Sequence, residues 1–134
     1  MKAYWVALAC CLSLPAFAET EHPLLPGYAE QARQDNPAFT GFSAERGKAL
    51  YFAEQKRDGK TMSCTTCHTA DPRQIGKTPA YRKVEPLAPV ANPKRFSNPK
   101  KVEKWFRRNC DDVFTRECSA QEKGDFITWI NSLK

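Results

Sequence analysis

The chain has 134 residues, 21 basic against 15 acidic for a formal net charge of +6, and 41% of them are hydrophobic. That length makes one domain, with a small core that a large buried cofactor would enlarge. The charge suits an acidic protein partner or a membrane surface, and nucleic acid drops out as a partner if the chain leaves the cytoplasm, as its first residues imply.

Those residues read MKAYWVALACCLSLPAFAET. One charge at Lys2, an uncharged run from Ala3 to Leu14, then Pro15 and the small-residue pattern Ala16-Phe17-Ala18 predict a secretory signal peptide over residues 1–18. The apolar run is well short of the roughly 20 residues a membrane-spanning helix needs, and nothing later approaches that length. Cleavage therefore predicts a soluble, periplasmic protein with no transmembrane segment. Cys10 and Cys11 invite a lipoprotein reading, but so little apolar sequence precedes Cys10 that both are expected to leave with the peptide.

Residues 19–42 read as a lead-in segment. EHPLLPG suggests extended chain, and YAEQARQDNP a short helix ended by Pro37. A main domain is expected over residues 43–134. Ser43 is placed to cap a helix through AERGKALYFAEQ, whose apolar positions Ala49, Leu50, Phe52 and Ala53 recur at helical spacing. Gly47 costs that helix about 1 kcal/mol against alanine, so its presence implies close approach of another element.

Beyond the signal peptide lie Cys64, Cys67, Cys110 and Cys118, for which the simplest exported reading is two disulfides chosen from three connectivities. The stretch MSCTTCHTADP argues otherwise, because Cys64-Thr-Thr-Cys67-His68 is the attachment signature of a c-type haem. Two thiols three positions apart on a short turn can add to the two vinyl groups on one side of the porphyrin, and the next side chain then lies under the iron as an imidazole ligand. A redox Cys-x-x-Cys pair would more naturally follow a strand in a βαβ unit, and half a zinc site needs two further ligands at similar spacing. Neither context is present.

Six prolines between Ala70 and Lys100 (Pro72, Pro79, Pro86, Pro89, Pro93 and Pro99) rule out a long helix and leave loop. Asn92 reads as a turn residue there, and Arg95 or Lys83 as either free surface charge or partner to a haem propionate. A helix is expected after Pro99, with Val102, Trp105 and Phe106 as its buried stripe. Asn109, seven residues after Val102, returns to within about 20° of the same direction, while Lys100, Lys101, Lys104, Arg107 and Arg108 take the opposite face. Position alone leaves two readings for Asn109, a helix cap or a functional amide. The last helix opens with the capping box Ser119 and Glu122 and buries Phe126, Ile127, Ile130 and Leu133, with Gly124 and Trp129 flanking the stripe.

In this order, GKALY on a helix, CTTCH, a proline-rich loop and a terminal DFITWI helix resemble the small class I cytochrome c domain. The resemblance implies an all-α fold with helices and loops wrapped around one covalent haem c, and a crossing of first and last helices at which Gly47 meets Tyr51 and Trp129. Such cytochromes usually place a methionine on the far side of the iron. Here Met1 falls in the signal peptide, Met62 lies on the attachment turn, and the only histidine besides His68 is His22 in the tail.

The runs EPLAPVANPKRF, KVEKWFRRNC and REC narrow this further, because they resemble the oxygen-binding cytochromes c known as sphaeroides haem proteins. That resemblance implies His68 and Asn109 as iron ligands, a Cys110–Cys118 disulfide, and displacement of Asn109 by oxygen, nitric oxide or carbon monoxide on reduction. It also implies an electron donor, a dihaem cytochrome c linked to a membrane b-type cytochrome, and leaves room for slow reduction of oxygen or nitric oxide. The competing class is a plain electron carrier with an unusual ligand. Peroxidase chemistry is disfavoured, since no distal histidine is available as acid or base.

Overall fold

The structure is a computed structural model that describes residues 21–134, and the expected signal peptide lies outside the described residues. Within them the fold is mostly helical, with two short antiparallel hairpins. No helix among the described residues is long and apolar enough to cross a membrane.

Helix α1 (Leu25–Asp35) begins inside EHPLLPG, where extended chain was expected. Pro26 sits in its first turn, where no backbone N–H is required. His22 completes the start, its carbonyl accepting the Leu25 N–H at 2.9 Å and its Nδ1 the Leu24 N–H at 3.3 Å. The helix ends ahead of Pro37, as expected, and buries Leu25 and Ala32.

Ser43 caps α2 (Ala44–Phe52) by accepting the Arg46 N–H at 3.2 Å. The helix stops earlier than its apolar spacing suggested, because Ala53 is extended and Asp58-Gly59, both at positive φ, reverse the chain. Asp-Gly at two left-handed positions is a hairpin turn. It joins β1 (Gln55–Arg57) to β2 (Lys60–Met62) with Gln55 opposite Met62. The buried face of α2 is also not the expected one: Gly47 and Tyr51 are inside, whereas Ala49 and Phe52 are exposed.

The single turn α3 (Thr65–His68) carries the Cys-x-x-Cys-His motif. The proline-rich segment forms no long helix and contains only the small hairpin of β3 (Gly76–Lys77) and β4 (Lys83–Val84). Helix α4 (Pro99–Phe114) opens with Asn98 accepting the Lys101 N–H at 3.0 Å and Pro99 as its first residue. Helix α5 (Ala120–Ser132) has the expected capping box, Ser119 Oγ accepting the Glu122 N–H at 3.1 Å and Glu122 Oε2 the Ser119 N–H at 2.8 Å. Phe126, Ile127 and Ile130 are buried, and Trp129 is equally so rather than marginal.

The crossing of α2 and α5 is the most extensive contact between elements. A Cβ on Gly47 would stand 2.1 Å from the Asp125 carbonyl oxygen, so only glycine lets the two backbones meet. Asp125, 3% exposed, locks the crossing by accepting the Ser43 N–H at 2.7 Å and both Nε and Nη2 of Arg46 at 2.7 and 2.8 Å. Beside it the Tyr51 and Trp129 rings lie 4.9 Å apart. The glycine itself thus meets backbone, and the expected aromatics stack next to it.

Gly47→Ala forces backbone against backbone and is expected to cost about 3 kcal/mol, the upper part of the overpacking range, read as a lowered denaturant midpoint. Gly27→Ala, with nothing within 4 Å of its added methyl, should instead be neutral or stabilising by up to about 1 kcal/mol.

Candidate functional site

The site is built on α3. Its short turn is closed by the His68 N–H donating to the Cys64 carbonyl at 3.0 Å and the Thr69 N–H donating to the Thr65 carbonyl at 3.0 Å. Cys64 and Cys67 are free thiols one turn apart, while Cys110 and Cys118 are bonded to one another. Burial pushes the Cys64 thiol up to about 11. Burial also raises Cys67, and the Asp112 carboxylate on α4 adds to that shift. Arg57 of β1 donates to the Asp111 carbonyl of α4 at 3.5 Å.

His68 is half-buried, and its ring makes no hydrogen bond among the described residues. Burial, then the positive charge of Arg95, push its pKa down to about 4, so the imidazole is neutral at neutral pH and offers a lone pair. The backbone around it is tightly held. Gly76 packs so closely on α3 that a Cβ there would lie 1.9 Å from the Cys67 carbonyl oxygen. Thr69 follows His68 at φ 64° and ψ 174°, a region reserved almost entirely for glycine, at a cost of about 1–3 kcal/mol. Its own hydroxyl helps to hold it, donating to the Asp71 carbonyl at 2.7 Å and accepting the Asp71 N–H at 3.2 Å.

Two free thiols, an adjacent neutral imidazole and no further ligands suit a haem better than a protein-held ion. Among the described residues no three His, Cys, Asp or Glu side chains gather where a metal could be held. Cys64 and Cys67 have the spacing for two thioethers, and the His68 ring has the open, uncharged nitrogen an axial ligand requires.

Asn109 lies in the middle of α4. The helix runs on to Phe114 and ends at Thr115, which takes the left-handed cap conformation at φ 56°, so Asn109 is not a helix cap. The disulfide likewise grips α4 a turn before its end, with Cα atoms 5.7 Å apart, and ties it to the residue just before the α5 cap. Closing nine residues contributes about 2.6 kcal/mol on the chain-entropy model.

At about 100° per residue, α4 presents three sectors. Val102 and Val113 are buried, and Phe106 meets the Phe126 ring at 5.6 Å. Lys100, Lys104, Arg107 and Arg108 are exposed on the opposite side. Trp105, Asn109 and Asp112 share a third sector about 60° wide, the side whose Asp112 acts on Cys67. Trp105, expected in the buried stripe, is 47% exposed to solvent and lies 5.2 Å from the Arg108 guanidinium, off the Val102 side of the helix.

The rival groups are already engaged. Asn92 donates to the Pro86 carbonyl at 3.3 Å, as a turn residue does. Arg95 donates to the carbonyls of Pro86 at 3.0 Å and Glu85 at 2.9 Å, and Lys83 pairs with Glu85 at 2.9 Å. Met62 sits in the β1–β2 hairpin, and His22 bonds within its own turn with its ring 6.3 Å from Phe96. The half-buried Asn109 amide has no hydrogen-bond partner among the described residues. No fully buried side-chain polar atom there lacks one, so the Asn109 and His68 groups remain reachable.

One group near the site was not singled out from the sequence as a contact of the motif. The Tyr51 hydroxyl reaches the carbonyls of His68, at 3.1 Å, and Thr69, at 2.7 Å. The family resemblance marked Tyr51 only as an aromatic at the helix crossing, and nothing local to it reveals a hydrogen bond spanning 17 residues of chain.

A thiol-and-imidazole turn set in a helical fold defines the c-type cytochromes, and comparison with known proteins agrees. The chain matches the family model described as a domain of unknown function, DUF1924, over residues 37–130. Cytochrome c-type protein SHP of Cereibacter sphaeroides is 42% identical over 130 residues, 94% of this chain and 95% of that protein. Cytochrome c'' of Methylophilus methylotrophus is 36% identical over 105 residues, 77% of this chain and 73% of that one. Among solved structures, oxidised cytochrome c'' aligns with a TM-score of 0.75 at 33% identity, covering 83% of this chain and 92% of the other. Oxidised SHP, described as an oxygen-binding cytochrome c, gives 0.73 at 40% identity, covering 82% and 94%. The chain belongs to the sphaeroides haem protein family of c-type cytochromes. It is a haem c protein of the electron-transport class.

Thiol counting tests the assignment of the cysteines. Denatured, unreduced protein lacking residues 1–18 and made without haem-maturation machinery should release two reactive thiols, from Cys64 and Cys67, and the matured protein none. Four thiols in the first sample would exclude the Cys110–Cys118 bond.

Proposed function

We propose that this is an exported, periplasmic monohaem cytochrome that accepts electrons and binds small diatomic gases, with Asn109 as the displaceable ligand. Cys64 and Cys67 would hold the haem through thioethers, and His68 and Asn109 would be the protein ligands of ferric iron. The haem supplies a redox-active iron whose sixth position can exchange ligands. A carboxamide is a neutral, weak donor. Asn109 would hold ferric iron and would give way to oxygen, nitric oxide or carbon monoxide at ferrous iron.

The observation that carries this reading is the Asn109 amide itself, half-buried in mid-helix, unpaired among the described residues, and in the α4 sector that carries Asp112. An asparagine inside a helix is unfavourable by propensity. A ligand role accounts for its place there and uses an amide that is reachable and unpaired among the described residues. The SHP structure is described as that of an oxygen-binding cytochrome, and a solution structure of cytochrome c'' is described in terms of haem-ligand detachment, which supports a labile ligand in this chain too. Residues 1–18 direct export. The electron donor, on the family resemblance, is a dihaem cytochrome c fed by a membrane b-type cytochrome, and the basic charge, +6 for the full sequence and +5 once Lys2 leaves with residues 1–18, favours an acidic docking face on that donor.

Asn109→Ala is expected to leave the fold intact and convert ferric iron to a water-ligated or five-coordinate spectrum, with faster carbon monoxide association because no side chain has to move aside. Asn109→Met should give a low-spin spectrum and weaker carbon monoxide binding, and Asn92→Ala should change neither. An unaltered ferric spectrum and gas-binding rate in Asn109→Ala would refute the ligand role and leave a plain electron carrier. Haem staining of denatured protein bands, lost in Cys64→Ala with Cys67→Ala, and an intact mass lacking residues 1–18 test attachment and export.

A further inference from the structure

We infer that Tyr51 is a positioning residue for the iron ligand His68, through its hydroxyl rather than through its ring. The inference rests on His68 being an axial ligand, as proposed above, and adds a residue from a different helix to the site.

Tyr51 is completely buried, yet its hydroxyl is not spent on a side chain or on its own helix. It points at the carbonyls of His68 and Thr69, 3.1 and 2.7 Å away, and its single proton is shared between them. Both carbonyls lie at the end of the four-residue turn α3, where no following helical turn supplies N–H donors. Thr69 is the strained residue at φ 64°, and such a conformation persists only where its surroundings over-determine it. Three constraints converge here: the Tyr51 hydroxyl, the Thr69 hydroxyl on Asp71, and the Gly76 backbone pressed on Cys67. They fix the backbone on both sides of the His68 Cα, and with it the direction from which the imidazole reaches the iron.

The other end of Tyr51 is equally constrained. Its ring lies 4.9 Å from Trp129 and 6.3 Å from Phe126, one turn along α2 from the contact of Gly47 with the Asp125 backbone. The hydroxyl therefore transmits the rigidity of the α2–α5 crossing to the ligand-bearing turn. A phenylalanine would preserve the packing and remove only this link.

The test is Tyr51→Phe in the haem-loaded protein, read by electron paramagnetic resonance of ferric iron, whose g values report how the axial ligands are oriented. The expected result is displaced or broadened g values. The same substitution in an Asn109→Ala background should displace them again, because His68 is then the only protein ligand left. Thr69→Gly, which releases the strained backbone while retaining the phenol, should change the signal in the same sense, and it carries the test if Tyr51→Phe yields too little holoprotein. Lowered thermal stability with unchanged g values in both backgrounds would overturn the proposal and leave Tyr51 a packing residue. Failure of the Asn109 reading looks different: Asn109→Ala alone would leave the ferric spectrum as it was.

Discussion

The molecule depends on one close approach, the Gly47 backbone against the Asp125 carbonyl, where no side chain can intervene. Asp125 makes that approach stable as well as possible, because its carboxylate is buried with Arg46 and the Ser43 N–H as partners. A buried carboxylate without such partners would oppose folding. From this crossing the core spreads outward through Tyr51, Trp129, Phe126, Ile127 and Ile130, and Leu25 of α1 joins it from the other side of α5. The attachment turn has little packing of its own, since α3 is four residues long and buries none of them fully. Its rigidity comes from what is anchored to the crossing.

The second organising element is α4, a helix asked to meet three environments. Its Val102 side completes the core, its lysines and arginines meet solvent, and the narrow sector between holds Trp105, Asn109 and Asp112. Asn98, Pro99 and the Thr115 cap fix where the helix starts and stops, and the Cys110–Cys118 bond pins its last turns to α5. Asn109 therefore sits on a stiff element with little freedom to translate, and its own side-chain torsions supply any motion. A weak ligand on such a support, the role proposed for Asn109, would leave the iron at low cost without disturbing the fold.

Charge is distributed with the same economy near the motif. Two cations of the proline-rich loop, Arg95 and Lys83, are occupied by loop carbonyls and by Glu85. His68 is kept neutral by burial and by the charge of Arg95, and neither the His68 ring nor the Asn109 amide has a hydrogen-bond partner among the described residues. Among the polar groups weighed as ligands, those left unpaired are the ones a haem iron would use.

Much of this was written in the sequence as local chemistry. Cys64-Thr-Thr-Cys67-His68 carries its meaning in covalent spacing; the caps at Ser43 and at Ser119 with Glu122 act within one turn; six prolines forbid a long helix wherever they fall. Each depends on residues at most a few positions apart, so no fold was needed to read it. The Asp58-Gly59 hairpin was equally local and was obscured by helical spacing upstream of it. Other features belong to the tertiary structure alone. EHPLLPG became helix where Leu25 packs into the core that α5 shares, and Trp105 lies off the Val102 side of α4 rather than with it in the core. Asn109 changed from a possible cap to an unpaired mid-helix amide once the disulfide and Thr115 set the true end of α4. The Tyr51 hydroxyl found the carbonyls of His68 and Thr69 because a glycine 78 positions from Asp125 brought two backbones together. Periodicity states which side of a helix is apolar, but only packing decides what lies opposite it, since burial is a property of pairs of surfaces and not of one.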